Sequence, residues 1–189
     1  MTLKSALIAT ILIPAALTLS ACGETPETTT ENVEVTQEAS TYFEDEVRTV
    51  REGLYIAGQP SEIDIADFKN KGITHVFNFR TPKEMEDLEF DEQDLLRQSG
   101  ISYTPIPIGG DDYPYSPEAV KQFTDAMKSS DGEVLLHCGS GYRASVVAVA
   151  WLVENEAMPL EEALTHAQGW WPLRLEQVMG TSFTLEMTE

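Results

Sequence analysis

The chain has 189 residues, 42% of them hydrophobic, which suits one domain with a real core plus appendages. Its formal net charge of −20 argues against a nucleic-acid partner, because phosphate backbones demand basic surface, and equally against adsorption to anionic lipid headgroups. The two cysteines, Cys22 and Cys138, lie in unrelated contexts, so no disulfide is expected.

Lys4 precedes an apolar run from Leu7 to Leu19. The run is short for a bilayer span and has the length of a signal-peptide core. It ends in Leu19-Ser20-Ala21-Cys22, which resembles the bacterial lipobox. That resemblance implies acylation of Cys22 as the first mature residue, with residues 1–21 removed. Gly23 follows where an Asp would imply retention at the inner membrane, so the expected location is the periplasmic face of the outer membrane. Residues 22–45 are rich in Thr and Glu and contain no Lys or Arg. Such a stretch has too few apolar residues to offset the entropy of ordering, and it reads as an extended acidic tether.

The domain is expected over residues 46–180, with a tail at 181–189. Leu54 to Ala57 reads as a strand, and Ser61 with Asp64 as a capping box opening a helix that buries Ile65 and Phe68 and stops at Gly72. Ile73 to Phe79 is β-branched and aromatic, hence a buried strand. A charged helical stretch is expected from Pro82 to Ser99. The strand Ile101 to Ile108 carries Pro105 and Pro107 and belongs at an edge. Ser116-Pro117 predicts a helix start, with Val120, Phe123 and Met127 as its apolar stripe. Glu133 to His137 reads as a strand, Arg143 to Val153 as an apolar helix, and Pro159 to about Ala167 as another; a last helix follows Pro172. Strands alternating with helices predict an α/β domain, a mostly parallel sheet of four to five strands with helices on both faces.

Ligands in such sheets bind beyond the carboxyl ends of the strands. There the sequence reads His137-Cys138-Gly139-Ser140-Gly141-Tyr142-Arg143-Ala144-Ser145. Backbone N–H groups of Gly139, Ser140, Gly141 and Tyr142 can converge on an anion, and a helix N-terminus adds partial positive charge. The same donors would stabilise a Cys138 thiolate, and the Arg143 fork suits two phosphoryl oxygens.

This segment resembles the signature of the cysteine-based protein tyrosine and dual-specificity phosphatases, and the resemblance runs from about Val47 to Pro172. Gly53-Leu54-Tyr55-Ile56-Ala57-Gly58-Gln59-Pro60-Ser61 is similar to the opening of dual-specificity domains. Gly72 to Arg80 resembles their second strand, and Pro159-Leu160-Glu161-Glu162-Ala163 the helix after the active-site helix. Within the superfamily the chain is most similar to the bacterial beta-lactamase hydrolase-like phosphatase domains. The resemblance implies a dual-specificity-phosphatase-like fold and hydrolysis of phosphate monoesters through a phosphocysteine. It also implies that His137 orients the loop and tunes Cys138.

Two features depart from the common signature. The Cys138–Arg143 spacing is a residue shorter than in the usual phosphatase loop and equals that of rhodanese sulfurtransferases, which hold a persulfide. Ala144 stands where Ser or Thr normally assists the leaving thiolate, a task left to Ser145 or Ser140. The helix expected after Pro159 favours the phosphatase, since rhodaneses usually continue with a strand. A general acid is needed for the leaving oxygen, and Asp112 or Asp111 supplies one from the loop after the strand Ile101 to Ile108, with the alternative that both are ordinary turn carboxylates. Arg80 either adds charge near the pocket or pairs structurally with Glu84 or Asp87. His75 and His166 read as packing or surface residues, Trp170 and Trp171 as a hydrophobic cap. No cofactor is expected, and no Cys/His spacing suits a metal. The remaining alternatives are a sulfurtransferase working through a Cys138 persulfide and a non-catalytic anion-binding envelope module. The expected partner is a phosphorylated substrate, and no motif encodes its identity or the oligomeric state.

Overall fold

The computed structural model describes residues 40–166 and 174–182. In chain order these form α1 (Tyr42–Asp45), β1 (Arg48–Arg51), β2 (Leu54–Ala57), α2 (Glu62–Phe68), β3 (Ile73–Asn78), α3 (Pro82–Glu86), α4 (Glu92–Gln98), β4 (Ser102–Pro105), α5 (Pro117–Met127), β5 (Glu133–His137), α6 (Tyr142–Asn155), α7 (Leu160–His166) and α8 (Leu175–Met179). The sheet runs β1-β2-β5-β3-β4. β1 is antiparallel to β2, and every other pairing is parallel. This is the expected mostly parallel α/β sheet, with β5 central.

Alternation along the central strands builds two cores, as a period of two requires. Leu54, Ile56, Phe77, Val134 and Leu136 join Phe123 and the wall of α6 on one face. Ala57, Val76 and Leu135 meet Tyr42, Ile65, Phe68 and Leu96 on the other. Each fully buried aromatic or aliphatic side chain here contributes about 1.5–3 kcal/mol of transfer free energy. α6 is buried from Ala144 to Leu152 because it is wrapped by α5, α7 and α8, so its apolar residues run all round rather than along one stripe.

The local signals act as the sequence suggests at α2, where Ser61 and Asp64 complete a capping box. Elsewhere the structure differs. The stretch from Pro82 to Ser99 is two helices rather than one, because Asp91 turns out of the helix and caps α4 by accepting from the Asp94 N–H at 2.9 Å. β4 ends at Pro105 and is shorter than expected, although the Ile106 and Ile108 N–H groups beyond it still donate to the Asn78 and Phe79 carbonyls at 2.9 and 3.1 Å, and the strand lies at the edge. Ser116 is extended but makes no side-chain cap, leaving Pro117 to start α5. Residues 40–45, expected in the tether, fold onto the domain. Tyr42 is 5% exposed, packs beside Phe68 and donates through its hydroxyl to the Gly58 carbonyl at 2.8 Å. β1 was not anticipated; it pairs along β2 with a bulge between Thr49 and Arg51. Cys22, Trp170 and Trp171 lie outside the described residues. No helix among the described residues is long and apolar enough to cross a membrane.

Candidate active site

β5 delivers His137 and Cys138 to the carboxyl end of the sheet, beside the ends of β2 and β3. Gly141 has φ 84°, a left-handed conformation that a side chain would strain, and this turn starts α6 directly above the loop. Gln59 N–H donates to the Gly139 carbonyl at 3.2 Å and Phe79 N–H to the His137 carbonyl at 2.9 Å. The loop is therefore strapped to both neighbouring strands. Gly139 and Ser140 are exposed, while Ser145 is fully buried on the first turn of α6. Tyr142 leans into the core, and its buried hydroxyl has no hydrogen-bond partner among the described residues.

Cys138 is 1% exposed. Arg143 follows five residues later, in the first turn of α6. Arg143 Nη1 donates to the Ile108 carbonyl at 2.7 Å, to the Phe79 carbonyl at 3.1 Å and to Glu84 Oε2 at 2.8 Å, and Nη2 donates to Glu84 Oε1 at 2.6 Å. The fork thus already grips two oxygens of an anion, those of a carboxylate. Burial lowers the Arg143 pKa, but the Glu84 bonds and the neighbouring Cys138 outweigh it and raise the value overall. Gly109, with φ 137°, lets the β4–α5 loop approach closely, since a Cβ there would sit 3.4 Å from Arg143 Nη1.

Glu84 is fixed at the other end by Thr81, which caps α3 and donates to Glu84 Oε2 through both N–H (2.8 Å) and hydroxyl (2.9 Å). Its carboxyl is held down to about 2, first by Arg143, against the opposing effect of partial burial, and further by Thr81. A value below the ordinary 4.5 means that this stabilisation is complete above pH 4.5 and drains away as pH falls toward about 2. The melting-temperature gap between the parent and Glu84→Gln is therefore expected to be widest near neutrality and to close through that acid window. Thermal melts across pH check this, and a gap independent of pH would show that the carboxylate charge does not carry the contact.

Asp111 and Asp112 are exposed in a loop closed by a Gly109–Tyr113 bridge. They line a cleft of about 640 Å³ together with Thr81, Lys83, Glu84, Tyr115 and Arg143. The structure thus brings the candidate acids and the candidate phosphate-binding arginine into one opening. Tyr115 was not singled out from the sequence. Burial raises its phenol pKa, with Arg143 opposing and Tyr142 and Cys138 adding, and the Arg174 guanidinium stands 5.7 Å over its ring. Arg80 takes the structural alternative: it donates to Gln59 Oε1 at 2.6 Å and to the Glu84 carbonyl at 2.8 Å, and its Nε stands 3.9 Å from Glu84 Oε1.

His137 is fully buried, and its Nε2 lies 3.0 Å from Glu92 Oε1, close enough for a strong electrostatic contact though not aligned as a linear hydrogen bond. Glu92 is 2% exposed and also accepts from Asn78 Nδ2 at 2.8 Å and Gln59 Nε2 at 3.3 Å. A buried carboxylate is tolerable only when paired and hydrogen-bonded, and these partners meet that need. Sequence reasoning missed Glu92, which hides in an acidic run that reads as solvated surface. His75 behaves as a packing residue, stacked 4.2 Å from Phe77 and bonded to Thr104 and Ser130. Among the described residues no cluster of His, Cys, Asp and Glu is suited to a metal ion.

Residues 46–155, more than half the chain, match the family described as beta-lactamase hydrolase-like protein, phosphatase-like domain. The chain belongs to that family. Over 124 residues it is 30% identical to a beta-lactamase hydrolase-like protein of Xylella fastidiosa, covering 64% of this chain but 28% of the relative. The chain therefore spans less than a third of that protein's length. It is 28% identical over 141 residues to dual specificity protein phosphatase 1 of Arabidopsis thaliana, covering 72% of this chain and 66% of the relative. A solved structure of a candidate phosphatase from Shewanella putrefaciens superposes with a TM-score of 0.57 at 27% identity, covering 75% of this chain and 95% of that one. The phosphatase-like domain thus has relatives in both sequence and structure that are described as phosphatases.

Proposed function

We propose that the domain hydrolyses phosphate monoesters through a phosphocysteine on Cys138. The observation that carries this reading is that Arg143, which follows the Cys138 loop in the first turn of α6, lines one cleft with Asp111 and Asp112, while Cys138 itself does not line it. The Cys138 thiolate attacks phosphorus as the ester P–O bond breaks, and Asp112 or Asp111 gives the leaving oxygen its proton. Arg143 and the loop N–H groups hold the non-bridging oxygens. Water then attacks the phosphocysteine, the carboxylate takes a proton from it, and the P–S bond breaks to return the thiolate and free phosphate. The Glu84 carboxylate occupies the Arg143 fork, so a phosphoryl group must displace it there, and the Cys138 thiol, 1% exposed, must open to the substrate.

The short Cys138–Arg143 spacing favours one competing chemistry, sulfur transfer, and a direct assay separates the two. The purified full chain is expected to release p-nitrophenol from p-nitrophenyl phosphate, to be blocked by vanadate, and to form no thiocyanate from thiosulfate and cyanide. Thiocyanate without phosphatase turnover would replace this reading by a Cys138 persulfide.

The lipobox and the acidic tether support placement on the periplasmic face of the outer membrane through acylated Cys22. Labelled palmitate is expected in the wild-type chain and not in Cys22→Ala, and equal labelling would overturn the anchor.

A further inference from the structure

Across α3 from the Arg143 cleft lies a second groove of about 630 Å³. The two openings share Pro82 and Glu86, so the short helix α3 is the ridge between them. The groove's floor is half-buried apolar surface from Met85, Leu88, Phe90 and Tyr103. Its rim carries the exposed carboxylates of Glu86, Glu89 and Asp91. Of its lining residues Arg80 alone is basic, and both its Nη groups are engaged by Gln59 and the Glu84 carbonyl. An apolar floor with an anionic rim thus adjoins the cleft that holds Arg143.

We propose that this groove is a specificity subsite for phosphorylated protein segments, taking a Lys or Arg that flanks the phosphorylated residue. The inference rests on the phosphatase reading of the neighbouring cleft. A Lys or Arg stem lies along apolar surface while its head stays at a polar rim. The rings of Phe90 and Tyr103 attract a cation over their faces. The carboxylates of the rim add Coulombic attraction and repel acidic flanks. The same rim opposes an anionic membrane surface, which makes a phospholipid phosphate the less favoured substrate.

The test compares phosphotyrosine peptides that differ only at the flanking position, Lys, Ala or Glu, with p-nitrophenyl phosphate as a reference that does not reach the groove. On the full chain kcat/KM is expected to favour Lys over Glu by about fivefold or more, with the advantage shrinking as salt rises. Glu89→Lys, outside the Arg143 cleft, should remove most of that preference and leave the p-nitrophenyl phosphate rate unchanged. Equal kcat/KM for the three peptides beside normal reference turnover would overturn the subsite alone. So would faster release from anionic phospholipid vesicles than from the Lys peptide. If the reference is not hydrolysed, the phosphatase reading fails, and peptide binding to the Cys138→Ser chain decides the groove: Lys-selective binding supports it, indifferent binding overturns it.

Discussion

Cys138→Ser is expected to lower phosphate release on the order of 10³-fold or more, while the chain stays folded and retains affinity for phosphotyrosine or vanadate. The reason is chemical rather than structural. Cysteine sulfur is intrinsically a far better nucleophile toward phosphorus than a serine hydroxyl. Serine is nearly isosteric with the cysteine in a site that is 1% exposed, and Arg143 stays held by Glu84 and the Ile108 and Phe79 carbonyls. Rate and ligand affinity therefore separate in this variant. They would not separate if the domain were a non-catalytic anion-binding module, for which wild type and variant would bind alike and neither would turn over. A variant with undiminished phosphate release would remove the phosphocysteine from the mechanism. Mass spectrometry of an acid-quenched wild-type reaction, looking for a phosphate adduct on Cys138, supplies the complementary measurement.

The second large effect is expected at Glu92, far from any exposed chemistry. Glu92→Ala leaves His137 fully buried without its carboxylate and takes from the Asn78 amide one of its three acceptors, the others being Tyr103 Oη and Met85 Sδ. Removing a hydrogen-bond acceptor from buried polar groups in this way costs about 1–3 kcal/mol, which for a domain of this size lowers the melting temperature by roughly 3–10 °C. Glu92→Gln keeps an oxygen for Asn78 and should cost less than the alanine change. Differential scanning calorimetry of the three proteins checks the order. A melting temperature unchanged in Glu92→Ala would mean that the His137 contact does not hold the loop's strand. Because the pair joins α4 to the last residue of β5, the activity of whatever folded Glu92→Ala survives should also fall, through a misplaced loop rather than lost chemistry.

What the sequence reveals here depends on how local each device is. Cys138, Gly141 and Arg143 sit in one contiguous stretch between a strand and a helix, so spacing alone announces an anion-binding loop. The capping box of α2 is equally local and equally legible. Glu84 and Glu92 are different. Each meets its partner only after the chain crosses the sheet, and both lie among Glu86, Asp87, Glu89, Asp91 and Asp94, where one carboxylate looks like the next. Burial distinguishes Glu92 from its neighbours, and burial is a tertiary property. Tyr42 offered a faint signal, since it and Phe43 are the first aromatics after a tether without any. β1 offered less, because Val50 is the one core residue in an Arg-Thr-Val-Arg segment.

The two outer strands of the sheet have a consequence for crowding. β4 is only partly covered and ends in Pro105, with Pro107 close behind, so its open side lacks the run of N–H donors that an incoming strand would pair with. At the opposite margin β1 is short, bulged between Thr49 and Arg51, and bounded by two arginines. Neither margin offers a long flat template for strand addition between molecules. Copies of the domain held at high local density would meet without fusing their sheets, and the acidic surface would push them apart before their edges came into register.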